Sequence, residues 1–476
     1  MKYISTRGKA PALTFKEALL AGLATDGGLY VPETWPSFTV DEIADFRGKS
    51  YAQVAFQVIE KFVDGEIADD TLHGMIDEAY GNFHHPAVVP LVQLGPSDWL
   101  LELFHGPTLA FKDVAMQILA RLMDHVLTES GKRLTIVGAT SGDTGGAALE
   151  AFKTCEGIDT FFMYPHGKVS DFQRRQMTTV GAKNCHAIAV DGSFDDCQSM
   201  VKSMFAHDTF RDKVQLSAVN SINWGRIMAQ VVYYFTAAAS LGAPSQKVSF
   251  TVPTGNFGDI YAGFVAKQMG LPIERLVIAT NENDILARTI AKGEHKLGEV
   301  KPTITPSMDI QISSNFERLL FDASGRDSNT VVTLMRDLME GGSYTLPEDV
   351  RAFIASSFDA GIANETETLA EIGRLYRASG YLCDPHTAVA LYVSRQHANL
   401  NVPMITLSTA HPAKFPVAVH DAVGKTPHPP EWADIADDKA EVVTRLKNNQ
   451  SEVEEFILAA SRLGSGQNTQ SKDVIA

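Results

Sequence analysis

Apolar residues recur at helical spacing through the first 95 positions. The stretch 14–23 (TFKEALLAGL) predicts an amphipathic helix, with Thr14 as its N-cap and Glu17 completing a capping box. Asp26-Gly27-Gly28 turns the chain into a short extended piece, and 51–80 returns to helical spacing. From about Leu100 the pattern becomes strand, Gly-rich turn, helix. Short β-rich runs stand at 133–138 (RLTIVG), 247–252 (KVSFTV), 275–280 (RLVIAT) and 403–408 (PMITLS). Helix-like AALEAFK (147–153) and IYAGFVAKQMG (260–270) follow the first two. Such alternation predicts an α/β fold with parallel sheets, whose ligands bind at the carboxyl ends of strands. Asp384 fits an N-cap with Pro385 at the first helical position, before AVALYVSRQ. The segment 432–463 reads as a charged surface helix, and 464–476 lacks apolar periodicity and reads as a frayed tail. No repeat of 20 to 50 residues stands out, on the order expected for a solenoid.

The chain has 476 residues, which suggests about three domains. The pattern divides the chain into 1–95 (mainly helical), 96–430 (α/β) and 431–476 (charged helix and tail). Apolar residues make up 45% and charged residues 21%, the usage of a folded globular protein. The net charge of −16 argues against nucleic acid as a partner, since phosphate backbones need a basic face. Cys155, Cys185, Cys197 and Cys383 form no CxxC pair, so neither a disulfide framework nor a Cys-rich zinc site is expected. Sparse cysteines, no apolar run long enough to span a bilayer, and an N-terminus without an apolar core predict a cytoplasmic protein off the membrane. There is no GxxxxGK[ST], no HExxH and no GxSxG around Ser141, so neither P-loop nor metal chemistry is expected.

Three Gly-rich segments and one lysine remain. Lys112 follows HGPTLAF and precedes a helix-like run. A lysine among apolar groups is a usable amine nucleophile, although taken alone it reads more readily as a surface residue in a first helical turn. GATSGDTGG (138–146) and PTGNFGD (253–259) each follow a strand and open a helix. Backbone N–H groups at such starts form anion sites, and the two glycines of the second allow close approach. Asp259 would repel a phosphate if aimed at it, so it is expected to point away or cap the amides.

HGPTLAFKD, GATSGDTGG, PTGNFGD and STAHPAKF, in this order, resemble the threonine synthase family, as do the N-terminal YISTRG and GLATDGGLYVPE. The resemblance runs from residue 2 to about residue 420, and FHHP at 83–86 resembles the long branch shared by proteobacteria and fungi. It implies a pyridoxal 5'-phosphate enzyme of the tryptophan-synthase-β type. Two three-layer αβα domains, the fold-type II arrangement, would flank a cofactor cleft, with a mainly helical N-terminal domain besides. By motif match, Lys112 would hold the cofactor as a Schiff base. Gly255, Asn256, Phe257 and Asp259 would form its phosphate loop, and Thr409 would face the pyridine nitrogen. Thr140, Ser141 and Thr144 would receive the substrate carboxylate, while Asp143 stands where many relatives outside the branch have Asn. Asn220 and Arg226, in NSINWGR, would reach the substrate phosphate. The implied substrate is O-phosphohomoserine and the implied products are threonine and phosphate. A phospho-lyase or an ammonia-lyase on the same scaffold is the competing reading. The resemblance also implies a monomer, with an oligomer left open.

Overall fold

The computed structural model describes residues 1–433 and 439–463. The expected tail at 464–476 lies outside the described residues. The chain forms two compact units: Met1–Leu119 with Asn220–Asp434, and Ala120–Val219 with Ile435–Ala476. This division is discontinuous, unlike the sequential borders drawn from the pattern.

The first unit opens mainly helical, with helices Phe15–Ala21, Val40–Ala44, Tyr51–Val63 and Asp69–Tyr80 and a small antiparallel pair, Tyr3–Ser5 with Tyr30–Pro32. Thr14 does cap the first helix, with Glu17 returning the bond to complete the box. Tyr51–Val63 buries Val54, Val58, Ile59 and Phe62 on one face, as its period requires. The main sheet has six strands in the spatial order Phe358–Ile362, Ile273–Thr280, Val248–Pro253, Met404–Ser408, Asp98–Glu102 and Leu91–Gln93. All neighbours are parallel except the last pair. Asp384 caps Pro385–Gln396 as expected, accepting from the N–H groups of His386 and Thr387.

The second unit carries a five-stranded parallel sheet in the order Thr444–Lys447, Cys185–Asp191, Ile158–Pro165, Leu134–Ala139 and Leu216–Ser217. Its core joins Val137, Phe161, Met163, Ile188 and Val190 to Val453 and Ile457. The last two residues overturn the reading of 432–463 as a surface helix. Its described part is a strand, Thr444–Lys447, then a helix, Gln450–Ala460, that buries its apolar face. The charged positions are the solvent side of an amphipathic element. Both units are therefore α/β with a parallel sheet. Among the described residues, no helix is long and apolar enough to cross a membrane.

Candidate active site

Three neighbouring parallel strands of the first unit, Val248–Pro253, Met404–Ser408 and Asp98–Glu102, deliver three loops to one edge of the sheet. The carboxyl edge of a parallel sheet is where loops and helix N-termini converge. These loops contain 254–259, 409–415 and 103–112, and so the predicted cofactor residues.

Lys112 is the first residue of the helix Lys112–Ser130 and only 8% exposed, not a solvated surface residue. Its turn is fixed from several sides. The Asp113 carboxylate accepts from the Thr108 N–H and hydroxyl, both at 2.7 Å. A Cβ at Gly106 would stand 2.5 Å from that of Asp113, so the loop needs glycine there. Lys414 Nζ donates to the Thr108 carbonyl at 2.6 Å. The Phe111 N–H donates to the Thr409 carbonyl at 2.8 Å, and an antiparallel bridge pairs Ala110 with Ala410. Lys112 and Thr409, almost 300 positions apart on the order of the chain's own numbering, are thereby neighbours in the fold. Thr409 is buried, and its hydroxyl has no hydrogen-bond partner among the described residues. Next to it, the Ser408 hydroxyl lies 3.0 Å from that of Thr387, which donates to the buried Asp384.

The loop 254–259 is held from behind. Ser313 Oγ donates to the Gly255 carbonyl at 2.7 Å. The Asn256 carbonyl accepts from Asn315 Nδ2 at 2.9 Å and from the Asn315 N–H at 3.1 Å. A trans peptide sets its N–H opposite its C=O. With those carbonyls turned toward Ser313 and Asn315, the N–H groups of Asn256 and Phe257 point the other way. Among the described residues, no protein acceptor meets the N–H groups from Gly255 to Asp259. Phe257 holds φ at +65°, a strained value for a residue with a Cβ. Its buried ring is locked edge-on against Phe316 at 5.2 Å. The helix Gly258–Gln268 begins there and adds its positive dipole end. The result is a row of donors with no internal partner, suited to an anion such as a phosphate. Sequence reasoning missed Ser313 and Asn315, because SSN before an amphipathic run reads as an ordinary helix start.

Asp259 does point away. Its Oδ1 accepts from the Tyr233 hydroxyl and, at 3.0 Å, from that of Tyr234. Burial pushes this carboxyl up to about 6, against the lowering effect of both tyrosines and the Lys112 charge. Its Oδ2 is buried without a hydrogen-bond partner among the described residues. What Asp259 adds to the anion row is its backbone N–H alone.

Asn220 is exposed, and its Oδ1 accepts from the Ile222 N–H at 3.3 Å. Arg226 lies in the first turn of the helix Trp224–Ser240 and is 4% exposed. Burial lowers its guanidinium to about 10, so it stays charged at neutral pH. Ile227 and Gln230, one turn on, pack beside Gly258 at the start of the other helix.

In the second unit, the loop 138–146 runs from the strand Leu134–Ala139 into the helix Asp143–Phe152. Thr140 is buried, and its Oγ1 accepts from the N–H groups of Gly142 and Gly145, each at 2.9 Å. It shapes the loop from within, whereas Ser141 and Thr144 are partly exposed. The buried Asp143 accepts from Gln173 Nε2 at 2.9 Å through its Oδ1. The side-chain amide of Gln173 thus occupies one oxygen of this carboxylate.

Comparison with known proteins agrees with these features. The family described as "Threonine synthase N terminus" matches residues 2–80, "Pyridoxal-phosphate dependent enzyme" matches 89–341, and "Threonine synthase, C-terminal" matches 387–457. The threonine synthase of Pseudomonas aeruginosa is 51% identical over 461 residues, covering 96% of this chain and 98% of that protein. The PLP-bound threonine synthase of Brucella melitensis superposes with a TM-score of 0.95 at 56% identity, covering 97% of this chain and 100% of the other. The yeast threonine synthase structure gives 0.90 at 37% identity, with 96% and 98% covered. The chain belongs to the threonine synthase family, within the fold-type II pyridoxal-phosphate-dependent enzymes.

Proposed function

We propose that this protein converts O-phospho-L-homoserine and water to L-threonine and phosphate, with pyridoxal 5'-phosphate bound at the sheet edge that carries Lys112. The observation behind this reading is the buried Lys112 beside an anion row that meets no protein acceptor among the described residues. The donor set suits the cofactor at three points. The N–H groups of 255–259 would hold its phosphate, with the exposed Asn256 side chain beside them. The Lys112 amine would hold its carbonyl carbon. The Thr409 hydroxyl would face its ring nitrogen, which beside a hydroxyl need not carry a proton.

When bound, the cofactor supplies an electron sink for charge developing next to the substrate's amine-bearing carbon. Lys112 removes the α-proton and then a β-proton, whose bonding electrons expel phosphate from the γ-carbon; protons return at the γ-carbon and, once water has added at the β-carbon, at the α-carbon. Asn220 and Arg226 hold the departing phosphate, and an Arg fork matches its oxygens better than a point charge does. That phosphate, with a second pKa of about 6, itself accepts and releases protons near neutral pH. Ser141, Thr144 and their loop N–H groups orient the substrate carboxylate, and water adds at the β-carbon. Asp259, held by two tyrosines, keeps negative charge away from the phosphate row while remaining within electrostatic reach of Lys112.

The test is direct. PLP-loaded protein is incubated with O-phosphohomoserine, and phosphate, threonine and 2-oxobutanoate are assayed together. Matched phosphate and threonine is the expected result. Phosphate matched by 2-oxobutanoate and ammonia overturns the hydration and makes the protein a phospho-lyase. The free state of all four cysteines supports a cytoplasmic setting, and the protein is expected to run as a monomer near 51.7 kDa by light scattering.

A further inference from the structure

Asn315 touches both segments assigned to phosphates. Its Nδ2 donates to the Asn256 carbonyl at 2.9 Å in the cofactor-phosphate loop, and to the Ser221 carbonyl at 3.1 Å in the segment bearing Asn220 and Arg226. Asn315 is itself fully buried, and its Oδ1 accepts from Arg318 Nη1. Arg318, also fully buried, carries this tie further. Its Nη2 donates to the Ile222 carbonyl at 2.6 Å and to the Tyr30 carbonyl at 2.9 Å, and its Nε donates to Tyr30 at 3.2 Å. The guanidinium also faces the Trp224 ring at 5.7 Å. Its three hydrogen bonds to backbone reach two carbonyls, Tyr30 and Ile222, in distant segments, and the fork fixes their relative height.

We propose that Asn315, oriented by Arg318, is a positioning residue that couples the cofactor-phosphate loop to the substrate-phosphate segment. The proposal rests on the roles assigned above to 255–259 and 220–226, and it adds that the two are not independent. A single amide whose two N–H bonds go to both segments cannot shift with one and leave the other unaffected. Order imposed on either loop by its anion is therefore passed to the other, and the coupling is reciprocal. Neither Asn315 nor Arg318 needs to touch either ligand for this to hold.

The informative substitution is Asn315→Asp. It keeps the size and the acceptor for Arg318 but abolishes both side-chain donations. Three quantities are measured: PLP affinity of the cofactor-free chain by absorbance titration, inhibition of the PLP-saturated enzyme by inorganic phosphate, and KM against kcat for O-phosphohomoserine. The expected result is that PLP affinity and phosphate affinity both weaken, each by about tenfold. KM should rise with them, while kcat falls less than about threefold, since no group in contact with the reacting atoms is removed. Arg318→Lys, which keeps the charge but loses the fork, should move both affinities the same way by a smaller factor. A residue that merely packs would lower the melting temperature and leave both affinities alone, and that outcome overturns the proposal. So does a change confined to one ligand. Should Asn315→Asp fail to fold, Asn315→Ala removes the same donations without adding charge and is read by the same measurements. Asn220→Ala, at an exposed position, separates the two levels. It should weaken phosphate inhibition without changing PLP affinity. If it leaves phosphate inhibition unchanged, the assignment of 220–226 has failed, whereas an effect there with none from Asn315→Asp sinks only the coupling.

Discussion

Lys112 and Asp259 set the electrostatics of the site at the scale of single residues. The lysine is buried at a helix start, and the carboxyl is turned from the phosphate row by Tyr233 and Tyr234. Lys112→Ala removes the amine proposed to anchor the cofactor and carry the protons. Turnover should fall by at least about a thousandfold, and the visible absorbance of bound cofactor should shift to that of noncovalently held PLP. Wild-type-like turnover would contradict the assignment. Asp259 makes a prediction in pH. Burial raises its folded pKa to about 6, above the ordinary carboxyl range, so the folded state favours its protonated form. The stability this contributes is fully present below about pH 4 and is lost as pH rises through about 6. Asp259→Asn has no proton to lose there. In cofactor-free protein, its melting temperature relative to wild type should climb between about pH 4 and pH 7. A difference, variant minus wild type, that stays flat or falls over this range would show that the carboxyl titrates normally.

At the scale of elements, the site depends on how a strand passes into a helix. Gly255 is required by close approach: a Cβ there would collide with the Ser307 carbonyl oxygen, which is backbone and cannot move aside cheaply. Gly255→Ala should weaken PLP affinity about tenfold or more, at a stability cost of about 1–3 kcal/mol, read by titration and denaturant melting. Unchanged affinity would mean that the loop does not receive the cofactor phosphate. These strand-to-helix turns were legible in the sequence because glycines, hydroxyls and capping residues punctuate them. Thr14 with Glu17, and Asp384 with Pro385, announce helix starts through side-chain chemistry that acts locally. The strand Ile158–Pro165 gives no such signal. All eight of its residues are buried, so it shows no alternation and cannot be told from buried helix by period. Thr444–Lys447 fails in the opposite way: four residues alternating between half-buried and exposed become a strand only by pairing with Cys185–Asp191. Asn315 was invisible for a related reason, because its meaning lies in two carbonyls 59 and 94 positions away.

Across the whole molecule, the chain order and the fold order part company. The C-terminal segment returns to the second unit, completes its sheet edge and sends Val453 and Ile457 into its core. Ile457→Ala should destabilise that unit by about 2–4 kcal/mol. Hydrogen exchange would report this as faster opening of the strands Ile158–Pro165 and Cys185–Asp191. Exchange there at the wild-type rate would mean that the helix Gln450–Ala460 is dispensable to the core. The reaction asks for the same whole-molecule view, because water must enter at one carbon while phosphate leaves another. Turnover of O-phosphohomoserine in [18O]water follows both events at once. One heavy oxygen in the threonine hydroxyl, with unlabelled phosphate, is expected, because phosphate departs by breaking the bond from carbon to oxygen. Heavy phosphate accompanied by homoserine would mean cleavage between phosphorus and oxygen, and would contradict the chemistry assigned to Lys112.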